Sequence, residues 1–312
     1  MSTIEKILFA PVQGHTDAAY RSIHRRRYGA AAEYYTPFIR LEHGEVRDRD
    51  LRDAFGELNP KEAMPVPQVI FRDYDELAPL VAAMRREGAT RIDINMGCPF
   101  PLQTAKGRGA ASVGRPECAE AVRRVVTENP ETECSVKMRL GMEDGGEWRG
   151  LLPTLNALKL RHVTVHPRVG RQQYKGELLM DEFDALVKES ANPVVYNGDI
   201  TTPGEALAVM ERYPGLAGVM VARGLLGRPS LGAETVSGEE WPLEKRLEEM
   251  LKFHRELLAH YESTLCGDHQ ILSKIKPFWE YAEAEIGRKA WKAIKKSVNM
   301  AKYHTAVALI GK

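Results

Sequence analysis

The stretch Asp93-Ile94-Asn95-Met96-Gly97-Cys98-Pro99 decides how this chain is read. It extends a short apolar run from Arg91 and then breaks at Gly97 and Pro99. A buried strand that stops this abruptly aims Cys98 into a loop, where α/β proteins carry reacting groups. Working outward, strand-like segments recur at Ile7 to Pro11, Ala31 to Ile39, Val66 to Phe71, Arg91 to Gly97, Cys134 to Leu140, His162 to His166, Pro193 to Tyr196 and Ala217 to Val221. Between them the 3.6-residue apolar period predicts helices. One runs to Tyr28 after a Thr16 or Asp17 cap, and Arg40 to Glu57 reads as loop and helix. Others cover Tyr74 to Glu87 (ended by Gly88), Pro116 to Asn129, Leu151 to Leu160, Asp181 to Ser190, and Pro203 to Tyr213 behind Thr201 or Thr202.

Eight strand-helix units spaced about 25–30 residues apart fit parallel βαβ connections. Several strands are apolar throughout, as burial on both faces requires. The expected fold class is α/β, a (β/α)8 TIM barrel over residues 1–237 followed by a small α-helical domain over 238–312. A doubly wound open sheet is the main alternative, but it would need a glycine-rich first turn, which is absent. In the helical part, Trp241 to Tyr261, His269 to Glu285 and Arg288 to Leu309 are expected helices, with Trp291, Ile294, Val298 and Ala301 on one face of the last.

At 312 residues, 43% apolar and 28% charged, the composition is that of a soluble globular protein. Met1 to Ala10 lacks a signal-peptide pattern, and no apolar run is long enough for a membrane span, so a cytoplasmic location is expected. The four cysteines (Cys98, Cys118, Cys134, Cys266) form no CxxC, and neither disulfide framework nor metal site is expected. The net charge of +1 hides an asymmetry: Gly287 to Lys312 holds seven basic residues and no acid.

The active site of a barrel lies at the C-terminal strand ends. Here those ends read Pro11 to Gly14, Gln68, Asn95 with Cys98, Lys137 with Arg139, His166 with Arg168, Asn197-Gly198-Asp199, and Ala222-Arg223-Gly224. Polar groups gathered at one mouth without partners are costly, which points to a ligand that satisfies them. The last two ends, with Gly198, Gly224 and Arg223, suit a phosphate. Lys137 and Arg139 alternate onto one face and ask for an anionic or electron-rich partner. Near a flavin N1–C2 carbonyl, a lysine would stabilise the reduced ring. Gln68 offers an amide to a flavin or pyrimidine edge. Cys98 reads as a protonated thiol able to act as a general acid. Each residue also has a plain structural reading: a turn for Asn-Gly-Asp, a satisfied core histidine for His166, a small buried hydrophobe for cysteine. That last reading is kept for Cys118, Cys134 and Cys266.

The Asp93-to-Pro99 stretch resembles the signature of the tRNA-dihydrouridine synthases. So do Ala10-Pro11…Gly14-x-Thr16-Asp17, Ser135-Val136-Lys137-Met138-Arg139-Leu140-Gly141, His166-x-Arg168…Tyr174-Lys175-Gly176, Asn197-Gly198-Asp199-Ile200 and Gly218-Val219-Met220-Val221-x-Arg223-Gly224. Ile275-Lys276-Pro277-Phe278-Trp279 resembles the helical-domain motif of some bacterial members. The resemblance implies an FMN-binding barrel and a helical tRNA-binding domain; a monomer is expected. It implies that NADPH reduces FMN, that hydride passes to C6 of a flipped-out uracil, and that Cys98 protonates C5. Carried over by motif, FMN contacts fall on Pro11, Val12, Gln13, Gln68, Lys137, His166, Asn197, Gly198, Asp199, Ala222 and Arg223. Asn95, Arg139 and Arg168 fall near the substrate, and Lys289, Lys292, Lys295 and Lys296 on RNA phosphates.

The sequence departs from the family pattern at Val12-Gln13, Pro37, Phe100-Pro101, Pro167 and Ala222. Phe100-Pro101 removes a usual lysine beside the reacting cysteine. Two other readings share parts of this sequence: an FMN barrel oxidoreductase acting on a small dihydropyrimidine or dihydroorotate type of substrate, and a non-catalytic RNA-binding protein. The loop Gly97 to Val113, glycine-rich with Lys106 and Arg108, is expected to be mobile without RNA.

Overall fold

The computed structural model of the chain describes residues 6–29, 31 and 33–312. Eight strands carry the fold: β1 (Ile7–Phe9), β2 (Glu33–Tyr34), β3 (Gln68–Ile70), β4 (Arg91–Met96), β5 (Glu133–Gly141), β6 (Val163–Val169), β7 (Val194–Tyr196) and β8 (Gly218–Val221). They form one sheet in the order β2-β1-β8-β7-β6-β5-β4-β3, and a helix follows each strand in the chain. Parallel bridges Tyr35↔Val66 and Ile39↔Val69 join the segment after β2 to β3. Strand order thus follows chain order all the way round, which is the (β/α)8 barrel and not the open doubly wound sheet.

The chain divides into two compact units, one of Met1–Tyr34, Asp199–Arg212 and Val221–Lys312, the other of Tyr35–Gly198 and Tyr213–Met220. In the second unit, Val69, Ile92, Ile94, Val136, Val163 and Val165 are fully buried. The intervening positions of β4 to β6 are polar: Asp93 and Asn95, then Ser135, Lys137 and Arg139, then Thr164, His166 and Arg168. Because strand side chains alternate, these polar residues share one face. The register sets Asn95 beside Lys137, Lys137 beside Thr164, and Arg139 beside His166.

In the first unit, helix Ala18–Tyr28 begins at Asp17, whose carboxylate accepts from the Tyr20 N–H, and ends at Gly29 with φ 58°. The second Asp17 oxygen accepts from the Tyr261 hydroxyl at 2.9 Å, tying this helix to Leu243–Thr264. Tyr20 meets Phe253 at 4.8 Å between ring centroids, and Phe253, Phe278, Trp279 and Tyr303 are buried. Such aromatic contacts supply most of the apolar area a small helical region can bury.

Several expected elements differ. The second strand, expected from Ala31 to Ile39, is reduced to Glu33–Tyr34, since Pro37 cannot donate to the ladder; Ala32 lies outside the described residues. The Arg40 to Glu57 segment contains a short antiparallel hairpin, Leu41–Glu42 with Glu45–Val46, before helix Asp48–Phe55. The helix expected at Leu151 starts earlier, at Trp148. Leu231–Ser237 is a further helix between the last expected strand and the expected helix from Trp241. His269 to Glu285 is broken at Pro277 into Gly267–Ile275, a 3-10 turn and Glu283–Ile286. Arg288 to Leu309 is two helices, Arg288–Lys296 and Met300–Val307, because Asn299 caps the second by accepting from the Lys302 N–H. Val298 therefore shares no helix face with Trp291 and Ile294, and is 71% exposed. Among the described residues, no helix is long and apolar enough to cross a membrane.

Candidate active site

Cys98 follows β4 at the expected corner and is buried, 7% exposed, against Phe38 and Ile70. The corner is held by one side chain. Asn95 Oδ1 accepts from the Gly97 N–H at 3.0 Å and from the Cys98 N–H at 2.9 Å. Asn95 Nδ2 donates to Gln68 Oε1 at 2.6 Å, and Gln68 Nε2 donates to Asp93 Oδ2 at 2.7 Å. Asp93 Oδ1 accepts from the Ser135 hydroxyl at 2.6 Å. Burial raises the Cys98 thiol pKa; the Phe100 backbone N–H, Arg139 and Lys137 oppose this and do not overcome it. The thiol is therefore protonated at neutral pH, as a proton donor must be.

From the other side the Cys98 carbonyl accepts the Ala110 N–H at 3.0 Å. Gly109, with φ 63°, closes on the corner so tightly that a Cβ there would collide with the Cys98 carbonyl oxygen. The loop expected to be mobile is pinned: Arg108 is turned inward, 6% exposed, and donates to both carboxylate oxygens of Glu76 at 2.8 and 2.7 Å. Without Arg108, Glu76 keeps the Arg72 N–H at 3.0 Å and the Arg72 guanidinium at 3.6 Å, so Arg108→Ala is expected to lower stability by about 1.5–3 kcal/mol, the loss of a charged hydrogen-bonded pair, read as a fall in the thermal unfolding midpoint.

Lys137 is half-buried, and its Nζ makes no hydrogen bond or ion pair among the described residues. Burial pulls its pKa from 10.5 to about 8, Arg139 adds repulsion, and Asp93 and Cys98 act upward. On its register partner, Thr164 Oγ1 is buried without a hydrogen-bond partner. An amine and a hydroxyl left open on adjacent strands fit the polar edge of a bound ring. Arg139 is 1% exposed; it donates to the Val169 carbonyl at 2.9 Å and lies 5.4 Å from the Tyr174 ring centroid. Arg168 donates to the Gly176 carbonyl at 2.8 Å and to His166 Nε2 at 3.2 Å. Asn197 Nδ2 donates to the Met220 carbonyl at 2.6 Å. Gly198 adjoins Tyr196 and Leu178.

Gln68, Asn95, Cys98, Lys137, Arg139, His166, Arg168, Asn197 and Gly198 thus belong to the second unit. Pro11, Val12, Gln13, Asp199, Ala222 and Arg223 belong to the first. There Val12 closes a turn in which its N–H donates to Thr16 Oγ1 at 2.9 Å. Arg223 pairs with Asp199 at 3.0 Å, both partly exposed, and Asp199 takes φ 39°. Gly224 is required by packing, since a Cβ would collide with the Ile200 carbonyl. Lys289, Lys292 and Lys296 are all exposed on helix Arg288–Lys296, and Lys295 lies over the Trp291 ring at 4.2 Å. Sequence reasoning missed Asp93, Ser135, Thr164 and Glu76. The first three share the inward alternation already used for Lys137, and that signal could have found them. No group of three or more His, Cys, Asp or Glu among the described residues could hold a metal ion.

A family model described as Dihydrouridine synthase (Dus) matches residues 8–308. A probable tRNA-dihydrouridine synthase 1 of Synechocystis is 33% identical over 234 residues, covering 73% of this chain and 64% of that protein. The tRNA-dihydrouridine synthase B of Shewanella oneidensis is 30% identical, covering 72% and 69%. A probable tRNA-dihydrouridine synthase of Treponema pallidum is 31% identical, covering 91% and 86%. Among solved structures, morphinone reductase superposes with TM-score 0.52 at 12% identity over 76% of this chain and 88% of that one. The old yellow enzyme of Trypanosoma cruzi superposes with TM-score 0.53 at 10% identity over 76% and 89%. These two share the barrel fold. The family match runs through nearly the whole chain and takes in the Cys98 corner and the Lys137 strand, so this chain belongs to the dihydrouridine synthase family.

Proposed function

We propose that this protein is a tRNA-dihydrouridine synthase that reduces a uridine of tRNA to 5,6-dihydrouridine with FMN as cofactor and NADPH as reductant. The observation that carries this reading is a buried, protonated Cys98 thiol fixed at a strand end, with the unpartnered Lys137 amine on the adjacent strand. FMN, when bound, supplies the hydride that goes to C6 of the uracil. Lys137 and Thr164, with the remaining amide hydrogen of Gln68, offer donors to the polar edge of its ring, and His166 and Asn197 flank the same strand ends. Gly198, Asp199, Ala222 and Arg223 are proposed for its phosphate, and Pro11, Val12 and Gln13 as further FMN contacts. Cys98 gives its proton to C5, and Asn95, Arg139 and Arg168 position the base. Residues 238–312 serve as the RNA-binding domain, with Lys289, Lys292, Lys295 and Lys296 on phosphates. A monomer acting in the cytoplasm accords with this reading.

The test is reduction by the FMN-loaded protein with NADPH. A tRNA transcript is expected to gain dihydrouridine by nucleoside analysis, whereas free pyrimidines and dihydroorotate-type substrates should not turn over. Reversing Lys289, Lys292 and Lys296 to glutamate should raise KM for tRNA about tenfold and flatten its salt dependence. Turnover of the small molecules with no reaction on RNA would favour the small-molecule oxidoreductase instead.

A further inference from the structure

The polar chain behind the Cys98 corner has only one self-consistent arrangement. At one end stand the Gly97 and Cys98 N–H groups, which can only donate. At the other end stands the Asp93 carboxylate, 0% exposed, which when ionised can only accept. Asp93 therefore fixes the Gln68 amide with nitrogen towards itself, leaving Oε1 to face Asn95. Asn95 must then present Nδ2 to Gln68 and Oδ1 to the corner. Ser135 donates to the second Asp93 oxygen and locks the carboxylate in place. Gln68 at 1% and Asn95 at 7% exposure have little water to accept a flipped amide.

From this geometry we infer that Asp93 is a positioning residue: through Gln68 and Asn95 it fixes the Gly97-Cys98 corner and hence the direction of the thiol. The inference rests on Cys98 as the proton donor, but its first readout does not. Without an acceptor at position 93, Gln68 is free to turn over, Asn95 turns with it, and its oxygen leaves the two corner N–H groups. The corner then loosens and the thiol samples solvent. An asparagine at 93 keeps an acceptor for Gln68 while its amide nitrogen donates to Ser135, so it should restore the corner.

The experiment is iodoacetamide alkylation of the flavin-loaded protein, followed at the Cys98 peptide by mass spectrometry because Cys266 is exposed and would react as well. Asp93→Ala is expected to raise the Cys98 alkylation rate about tenfold, and to lower kcat on tRNA by about tenfold or more with KM for tRNA unchanged. Asp93→Asn should stay within about twofold of the wild-type alkylation rate. Should Asp93→Ala fail to fold, Gln68→Leu interrupts the same chain and should show the same rise in alkylation. Wild-type alkylation in the folded Asp93→Ala or Gln68→Leu protein overturns the inference, as does an Asp93→Asn protein that behaves like Asp93→Ala. If the corner loosens as expected but Cys98→Ala still makes dihydrouridine, the proton-donor reading has failed and the positioning relay stands.

Discussion

Cys98→Ala is expected to lower the single-turnover rate of dihydrouridine formation by about 10²–10⁴-fold while flavin binding stays at the wild-type level. That range is what a positioned general acid contributes when proton transfer limits the reaction. The thiol suits the task because its surroundings hold the proton. It is 7% exposed against Phe38 and Ile70, and burial raises its pKa above the ordinary thiol value of 9.0. Lys137 and Arg139 pull the other way; without them the thiol would be a poorer acid, and with more of them it would lose its proton and become a nucleophile. The sign of the pH effect follows. A group with a raised pKa keeps its proton below that pKa, so the Cys98 contribution persists through neutral pH and is lost only as pH rises past the raised value. Cys98→Ser should recover little of the loss, because a hydroxyl gives up its proton less readily than a thiol. A Cys98→Ala protein that formed dihydrouridine within about tenfold of the wild-type rate would remove the thiol from the reaction.

How much of this site was legible in the sequence depended on the distance over which each residue acts. The Cys98 corner was legible because Gly97 and Pro99 act on their immediate neighbours. Lys137 and Arg139 were legible because strand alternation is a two-residue rule. The work of Asn95 was not, because its partners combine a local cap on Gly97 and Cys98 with a bond to Gln68, 27 positions away. Arg108 was misread for a similar reason. A basic residue in a glycine-rich loop reads as part of a mobile segment until the fold brings in Glu76, 32 positions away, and buries both. The last helix failed differently: its apolar period runs through Ser297 to Asn299, but Asn299 competes locally for the Lys302 N–H and starts a new helix. The barrel itself survived all of these misreadings. Eight strand-helix alternations are a pattern of whole segments, and one short strand or shifted cap does not change their number.

Lys137 sets the second large effect, and it should be visible in flavin affinity as a function of pH. Its amine lacks a partner among the described residues, and burial lowers its pKa to about 8, with Arg139 adding to the shift. A lysine with a lowered pKa loses its charge as pH rises through that value. Binding that depends on the cation is therefore fully present below about pH 7, weakens through about 8, and approaches a tenfold loss per further unit if only the protonated amine binds. A charge-assisted hydrogen bond contributes about 1.5–3 kcal/mol, so Lys137→Met should weaken FMN binding about tenfold to hundredfold at pH 7 and abolish the dependence between pH 7 and 9. Lys137→Arg should also be flat across that range, since its guanidinium stays charged, but it should bind less well than the wild type because a planar fork replaces a point donor. Quenching of flavin fluorescence at constant ionic strength reads all three proteins. A flat wild-type profile, or one whose alkaline limb persists in Lys137→Met, would assign the titration to another group and leave the orphaned amine without a role in holding the ring.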